Sequence, residues 1–170
     1  MPLVSPPPPV IVAPAGQHQP QPLKFLGFRV GMPFPTAQAL IKTSGGKLNC
    51  APAPGHAGLD CSGTLPYPGL STALEVRIGS VSDSVTLVML TARAIERVAP
   101  AWASALREDY GPPKDDLRPG VQESWQWSRG SQMLRIVERR GGKDEIESSL
   151  TLGSAPLPEL PPSRAPASPR

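Results

Sequence analysis

Proline is concentrated at the two ends of this 170-residue chain. Of its 24 prolines, 8 fall within residues 1–23 and 6 within residues 153–170. Because proline fixes φ and has no backbone N–H to donate, neither end can form a long helix or a central strand. Both ends are therefore expected to be tails, the first in polyproline II conformation or disordered and the second an extended spacer or ligand. The predicted domain is residues 24–152, where proline has an ordinary frequency.

Several stretches of the domain have the period-two alternation of apolar residues that is typical of half-buried strands. One run, residues 85–91, is apolar at both parities, which indicates a strand covered on both faces. The last three runs are separated by short glycine-containing turns and predict an antiparallel meander. The predicted strands are residues 24–30, 73–79, 85–91, 123–128, 132–140 and 144–152.

Two helices are predicted between these strands. The first follows Pro35, with Thr36 as a candidate N-cap, and is about two turns long. The second is indicated by apolar residues spaced three and four apart on one helical face, and Gly111 can end it in a left-handed conformation. Pro100 should kink this helix or start it anew. The residues of its predicted buried face are Ile95, Val98, Trp102, Leu106 and Tyr110.

The fold class that follows is α+β. We expect an antiparallel sheet, largely a meander, with two short helices packed on one face. Proline-rich tails, residues 1–23 and 153–170, flank it. The stretch 49–72, rich in Pro, Gly, Ser and Ala and without a period, is interpreted as a surface loop.

Both cysteines of the chain, Cys50 and Cys61, lie in this stretch with His56 between them. A structural zinc site needs four ligands and usually has paired spacings, which these three residues do not supply. A catalytic cysteine typically lies at a helix start near a histidine that is distant in sequence, and this pattern is absent. A disulfide between Cys50 and Cys61 is the simplest prediction, and it indicates an oxidising compartment.

Charge and composition argue against several partners. The net charge of +3 divides as zero in residues 1–23, +2 in residues 24–152 and +1 in residues 153–170, so neither nucleic acid nor an anionic membrane is indicated. Trp125 and Trp127 share a strand face beside several arginines, as in a surface that stacks bases. Interleaved glutamates favour a core role for them instead. No apolar run reaches the ~20 residues of a membrane helix.

Motifs of the common enzyme classes are missing. The sequence has no GxSxG, HExxH, GxxxxGK[ST] or GxGxxG pattern and only two histidines. We therefore expect a protein that is not an enzyme and that takes no cofactor and no metal. A small enzyme with an unrecognised site stays open as an alternative.

Three stretches of the chain resemble known bacterial proteins. The segment "GFRVGMPFPTAQALI" and the pair "LREDYGPP" and "ESWQW" are similar to turn, cap and strand signals of small envelope modules. The families are the outer-membrane assembly lipoprotein BamE (SmpA/OmlA) and the beta-lactamase inhibitor protein superfamily. This resemblance implies short helices packed on an antiparallel sheet and a function in binding proteins.

The function expected from these features is non-enzymatic protein binding outside the cytoplasm. We expect an accessory or structural subunit of an envelope or membrane-associated assembly, located in the periplasm or outside the cell. No signal peptide is visible in the sequence, so a cytoplasmic location stays the alternative. An inhibitor of a secreted enzyme, inserting the loop 50–61, is the other binding hypothesis. In the uncharged first tail, the candidate partner-binding residues are Pro6, Pro7, Pro8, Pro9, Val10, Ile11 and Val12.

Overall fold

The computed structural model describes residues 21–55, 57–115, 122–142 and 144–158. Within these residues the chain forms two helices, a two-stranded hairpin and an eight-stranded sheet. The helices are α1 (Phe34–Thr43) and α2 (Ala99–Tyr110), and the hairpin is β1 (Lys24–Phe25) with β2 (Phe28–Arg29). The sheet strands are β3 (Lys47–Pro52), β4 (Gly58–Leu65), β5 (Leu74–Val81), β6 (Ser84–Ala94), β7 (Lys114–Asp115), β8 (Gln122–Arg129), β9 (Gln132–Arg140) and β10 (Ile146–Ser154).

The sheet consists of two halves that meet at its centre. Its strand order is β3-β4-β5-β6-β10-β9-β8-β7, and all neighbouring strands are antiparallel. Along the chain, α1 precedes the four strands of the first half (β3 to β6), and α2 precedes those of the second half (β7 to β10). The predicted α+β class, with a mostly antiparallel sheet, is confirmed.

The core contains one set of alternating sheet residues together with the buried residues of both helices. Leu90 of β6 and Leu150 of β10 are directly opposite each other, and both are buried in it. Trp102 of α2 is 1% exposed and meets two other aromatic rings edge-on, that of Phe25 at 5.6 Å and that of Tyr67 at 6.1 Å between centroids. Edge-to-face contacts of this kind stabilise the core beyond the burial of their area.

The second helix begins later than its apolar spacing suggests. Its first residue is Ala99, so Pro100 lies in the first turn, where a missing N–H costs little. The predicted new start at Pro100 is confirmed, as is the end at Gly111, which has φ 80°. Ile95 is not on the buried face, because it precedes the helix and is 81% exposed. That part of the prediction was wrong.

The stretch 49–72 is not a loop throughout. Residues from both β3 and β4 lie in it, and the two strands form a hairpin that pairs through β4 with β5. β3 is an edge strand with mostly exposed side chains, so it has no apolar alternation to reveal it. Its formation depends on backbone pairing with β4, which the residue pattern does not show.

At both ends the ordered domain reaches into the predicted tails. Leu23 is fully buried, and the Tyr110 hydroxyl accepts a hydrogen bond from the Lys24 N–H at 2.9 Å. Burial raises the pKa of the Tyr110 phenol, partly offset by that hydrogen bond. At the other end β10 continues through Ser154, two residues beyond the boundary predicted at Leu152.

A pair of substitutions tests the start of α2. Replacing Leu106, which is 1% exposed, with alanine should lower the free energy of unfolding by ~2–5 kcal/mol, because it leaves a cavity in the core. Ile95→Ala, at a position that the apolar spacing places on the same face, should change it by less than ~0.5 kcal/mol. Urea denaturation of both variants measures the difference. Equal losses would mean that the helix begins before Ile95.

Candidate functional site

The sheet residues that alternate with the core positions define a second face, here called the open face. Within the described part of the chain, α1, α2 and the β1–β2 hairpin contribute their buried residues to the core and not to this face. It extends over both halves of the eight-stranded sheet. Its central residues are Arg77 and Gly79 of β5, Leu87, Met89, Thr91 and Arg93 of β6, Glu147, Ser149, Thr151 and Gly153 of β10, and Met133, Arg135, Val137 and Arg139 of β9.

The middle of the open face is closely packed although neither α1 nor α2 lies on it. Met89, Val137, Ser149 and Thr151 are all less than 10% exposed. The hydroxyl groups of Thr91 and Ser149 lie 3.3 Å apart across β6 and β10. The face therefore has a floor of small and medium side chains at the junction of the two halves.

A charged ladder crosses three strands of this face. The Arg93 guanidinium on β6 donates to Glu75 on β5 at 2.5 Å and to Glu147 on β10 at 3.2 Å. Burial alone would lower the pKa of Arg93, but the hydrogen bond to Glu147 and the charges of both glutamates raise it overall. Such partly exposed pairs contribute at most ~1 kcal/mol each to stability, so their main effect is to fix the guanidinium in place.

In the second half, arginines are held by neutral side chains. Arg135 donates from two nitrogens to the Gln126 side-chain oxygen, at 3.2 and 3.1 Å. Arg139 donates to the Gln122 side-chain oxygen at 3.2 Å. Because a glutamine oxygen carries no net charge, the bonds from Gln126 orient the Arg135 guanidinium without neutralising it. This part of the open face suits a partner that presents carboxylates.

On the core side of the sheet, Arg97 forms ion pairs with two strands of the second half. Arg97, in the link before α2, donates to Glu138 of β9 and to Glu123 of β8. The hydrogen bond to Glu138 is the largest cause of a raised Arg97 pKa. Glu138 is nearly buried, so this contact ties the α2 entry to the second half of the sheet.

The predicted disulfide between Cys50 and Cys61 is present. The two residues are directly opposite in the β3–β4 register, so the bond staples the edge hairpin instead of closing an irregular loop. In the turn of the hairpin, Pro54, Gly55 and Ala57 are exposed. A structural disulfide of this kind is typical of proteins in oxidising compartments.

Trp125 and Trp127 are buried in the core, and the Trp127 indole donates to the Gly111 carbonyl at 3.0 Å. Their ring faces are therefore not available for stacking bases. His56 and the segment Pro6, Pro7, Pro8, Pro9, Val10, Ile11 and Val12 lie outside the described residues.

Sequence reasoning missed the open face as a candidate site. Its arginines and glutamates were visible only as charges that alternate with apolar residues, which is also the pattern of an ordinary solvated strand face. The register that brings Glu75, Arg93 and Glu147 together joins residues far apart in the chain. No pattern within a short stretch of the sequence indicates that strand register.

An apolar groove of about 850 Å³ lies on the core side, between α1, the β1–β2 turn and the link after β4. Leu26, Leu40, Pro66 and Tyr67 are among its lining residues. The described residues that line it include no acid, histidine, cysteine or basic side chain. Its polar side chains are the hydroxyls of Ser44, Tyr67 and Ser71.

Comparisons with known proteins return no match, whether with protein-family models, with curated proteins or with solved structures. Among the described residues, no helix has the length and apolar character needed to cross a membrane. Nor do they contain a group of three or more His, Cys, Asp and Glu side chains arranged to hold a metal ion.

Reduction of the disulfide should destabilise the domain measurably. The bond encloses 10 residues, for which the chain-entropy estimate is ~2–3 kcal/mol. The midpoint of urea denaturation should therefore fall when dithiothreitol is added. The double variant Cys50→Ser with Cys61→Ser should start at the lower midpoint and not respond to dithiothreitol. If dithiothreitol left the urea midpoint of the natural sequence unchanged, the disulfide would not stabilise the hairpin as described.

Proposed function

We propose that this protein is a non-enzymatic protein-binding module that works outside the cytoplasm, as an accessory or structural subunit of an envelope or membrane-associated assembly. The observation that supports this most is the open face. A sheet of this width buries one face under its helices and leaves the other as a broad surface with ordered charges. Such a surface is suited to recognising another protein by shape and charge.

The second half of the open face is the proposed centre of contact. Arg135 is oriented there by Gln126, while Arg93 nearby is already paired with two glutamates. The guanidinium of Arg135 on β9 is therefore a positive charge available to a partner. We propose a partner surface with exposed carboxylates, which would pair with guanidinium groups that are already oriented.

The disulfide supports the extracytoplasmic part of the proposal. Thiols are kept reduced in most cytosols, so a cross-strand staple at the sheet edge would be lost there. The periplasm or the cell exterior fits it. The resemblance to envelope modules points to the same compartment but stands as an expectation.

A second candidate function rests on the exposed turn of the β3–β4 hairpin. Pro54, Gly55 and Ala57 project from the sheet edge next to the disulfide. A turn held in this way loses little entropy when it inserts into a cleft, which is how an inhibitor of a secreted enzyme would use it. The uncharged segment containing Pro6 to Val12 is a further proposed contact.

Site-specific photocrosslinking distinguishes these surfaces. A benzophenone amino acid is placed singly at Ser128 (open face), Pro54 (hairpin turn), Val10 (first tail) or Ala105 (exposed face of α2) in the full chain, within native envelopes. We expect a defined crosslinked product from Ser128, identified by mass spectrometry. Products from Pro54 alone would favour the inhibitor function, and products from Ala105 alone would contradict both.

Charge reversal gives the matched control for this experiment. Arg135→Glu should strongly reduce the Ser128 crosslink, because the partner's carboxylates would then meet a like charge. Arg107→Glu, an exposed position on α2, should leave it unchanged. If the Ser128 crosslink survives Arg135→Glu, the proposed centre of contact is wrong.

A further inference from the structure

The chain does not leave the sheet when β10 ends. Residues 155–158 turn back over the open face, and Leu157 is only 7% exposed, whereas Ala155, Pro156 and Pro158 are exposed. A single buried leucine between exposed residues is typical of a segment anchored by one side chain. The surface on which Leu157 is anchored is the open face.

A gap in the side chains of the open face accommodates this leucine. Gly153, Leu87 and Gly79 are register partners on β10, β6 and β5, so two glycines flank Leu87 in one row across the sheet. A Cβ atom at Gly153 would lie 3.0 Å from Leu157 Cδ2 and 3.1 Å from Leu87 Cδ1. Any larger residue at position 153 would push against Leu157, so the glycine leaves room for it.

The next residue shows the direction of the chain. Pro158 lines a hollow of about 290 Å³ on the open face together with Arg77, Met89 and Asp60. These residues belong to β5, β6 and β4, whereas Leu157 contacts β10. The segment therefore runs from the centre of the sheet over its first half.

Length and charge both suit a continuation in this direction. Twelve residues follow Pro158, and at ~3.1 Å per residue in polyproline II they exceed the ~14 Å that separates β6 from the edge strand β3. The residue after Pro158 is Glu159. Arg77, at the hollow, is exposed and has no hydrogen-bond or ion-pair partner among the described residues.

We propose that the C-terminal segment, residues 155–170, is an intramolecular ligand of the open face. Leu157 anchors it between Gly153 and Leu87, and the carboxylate of Glu159 pairs with Arg77. The segment covers the first half of the face, while the second half, with Arg135 and Arg139, stays accessible. A partner that binds the first half of the open face must displace the segment. This competition rests on the proposed function, whereas the contact between the segment and the open face does not.

Methionine oxidation by hydrogen peroxide, followed by peptide mass spectrometry on the full chain without any partner, tests the contact. Met89 is at the hollow, and Met32 is buried in the core on the other side of the sheet. Leu157→Asp should raise the oxidation rate of Met89 severalfold and leave that of Met32 unchanged. Leu157→Ala should act in the same direction with a smaller effect, and Ser154→Asp, an exposed site, should have no effect.

A charge exchange tests the continuation beyond Pro158. Glu159→Arg should raise the Met89 oxidation rate, and adding Arg77→Glu to it should restore the slow rate. An unchanged Met89 rate in both Leu157 variants, with Met32 still slow, would overturn the proposal. Failure of the charge exchange to restore protection would overturn the Glu159–Arg77 pair. Because no partner is present, neither result depends on the function proposed above.

Discussion

The pairing of β6 with β10 holds the two halves of this protein together. Eight consecutive register pairs, from Ala94 with Ile146 to Leu87 with Gly153, join the last strand of each half. On the core side Leu90 meets Leu150, and on the open face Thr91 meets Ser149. Without this pairing each half would be a four-stranded sheet with an additional exposed edge, which is a liability for aggregation. With the β6–β10 pairing in place, both helices pack on one continuous hydrophobic core.

The same junction determines what the surface can do. Arg93 bridges it by bonding to Glu147, and the floor of the open face is formed by residues from both of its strands. The outer strands need other support: β3 is stapled to β4 by the disulfide, and β9 and β8 are linked by arginine–glutamine pairs. The proposed binding surface and the site of the C-terminal segment both follow from a sheet that is continuous across this junction.

The individual helices and strands could largely be predicted from the sequence, but the way they pair in the sheet could not. The helix end at Gly111, the restart at Pro100, the disulfide and the other strands with alternating residues could be predicted, because each depends on residues close in the chain. The single strand predicted at residues 24–30 was wrong, because the chain turns at Leu26 and Gly27 to form the β1–β2 hairpin and leaves Leu26 42% exposed. The β3–β4 hairpin was missed because the side chains of β3 are mostly exposed, and the anchoring of Leu157 was missed because it requires a glycine on β10 beside Leu87 on β6. One available signal was overlooked: both helices have proline at their second residue and buried residues at the first, fourth and eighth, Phe34, Ala37 and Ile41 in α1 and Ala99, Trp102 and Leu106 in α2.

The β6–β10 register can be measured directly by engineered cross-linking. Thr91→Cys combined with Ser149→Cys places two thiols at opposite positions with hydroxyl oxygens that now lie 3.3 Å apart, close enough for a disulfide after small adjustments. We predict rapid and complete oxidation of this pair, seen as the loss of both new thiols in the unreduced monomer. Thr91→Cys with Gly153→Cys, four residues further along β10, should keep its thiols. No bond in the first pair, or equal oxidation of both, would contradict a single sheet joined in this register.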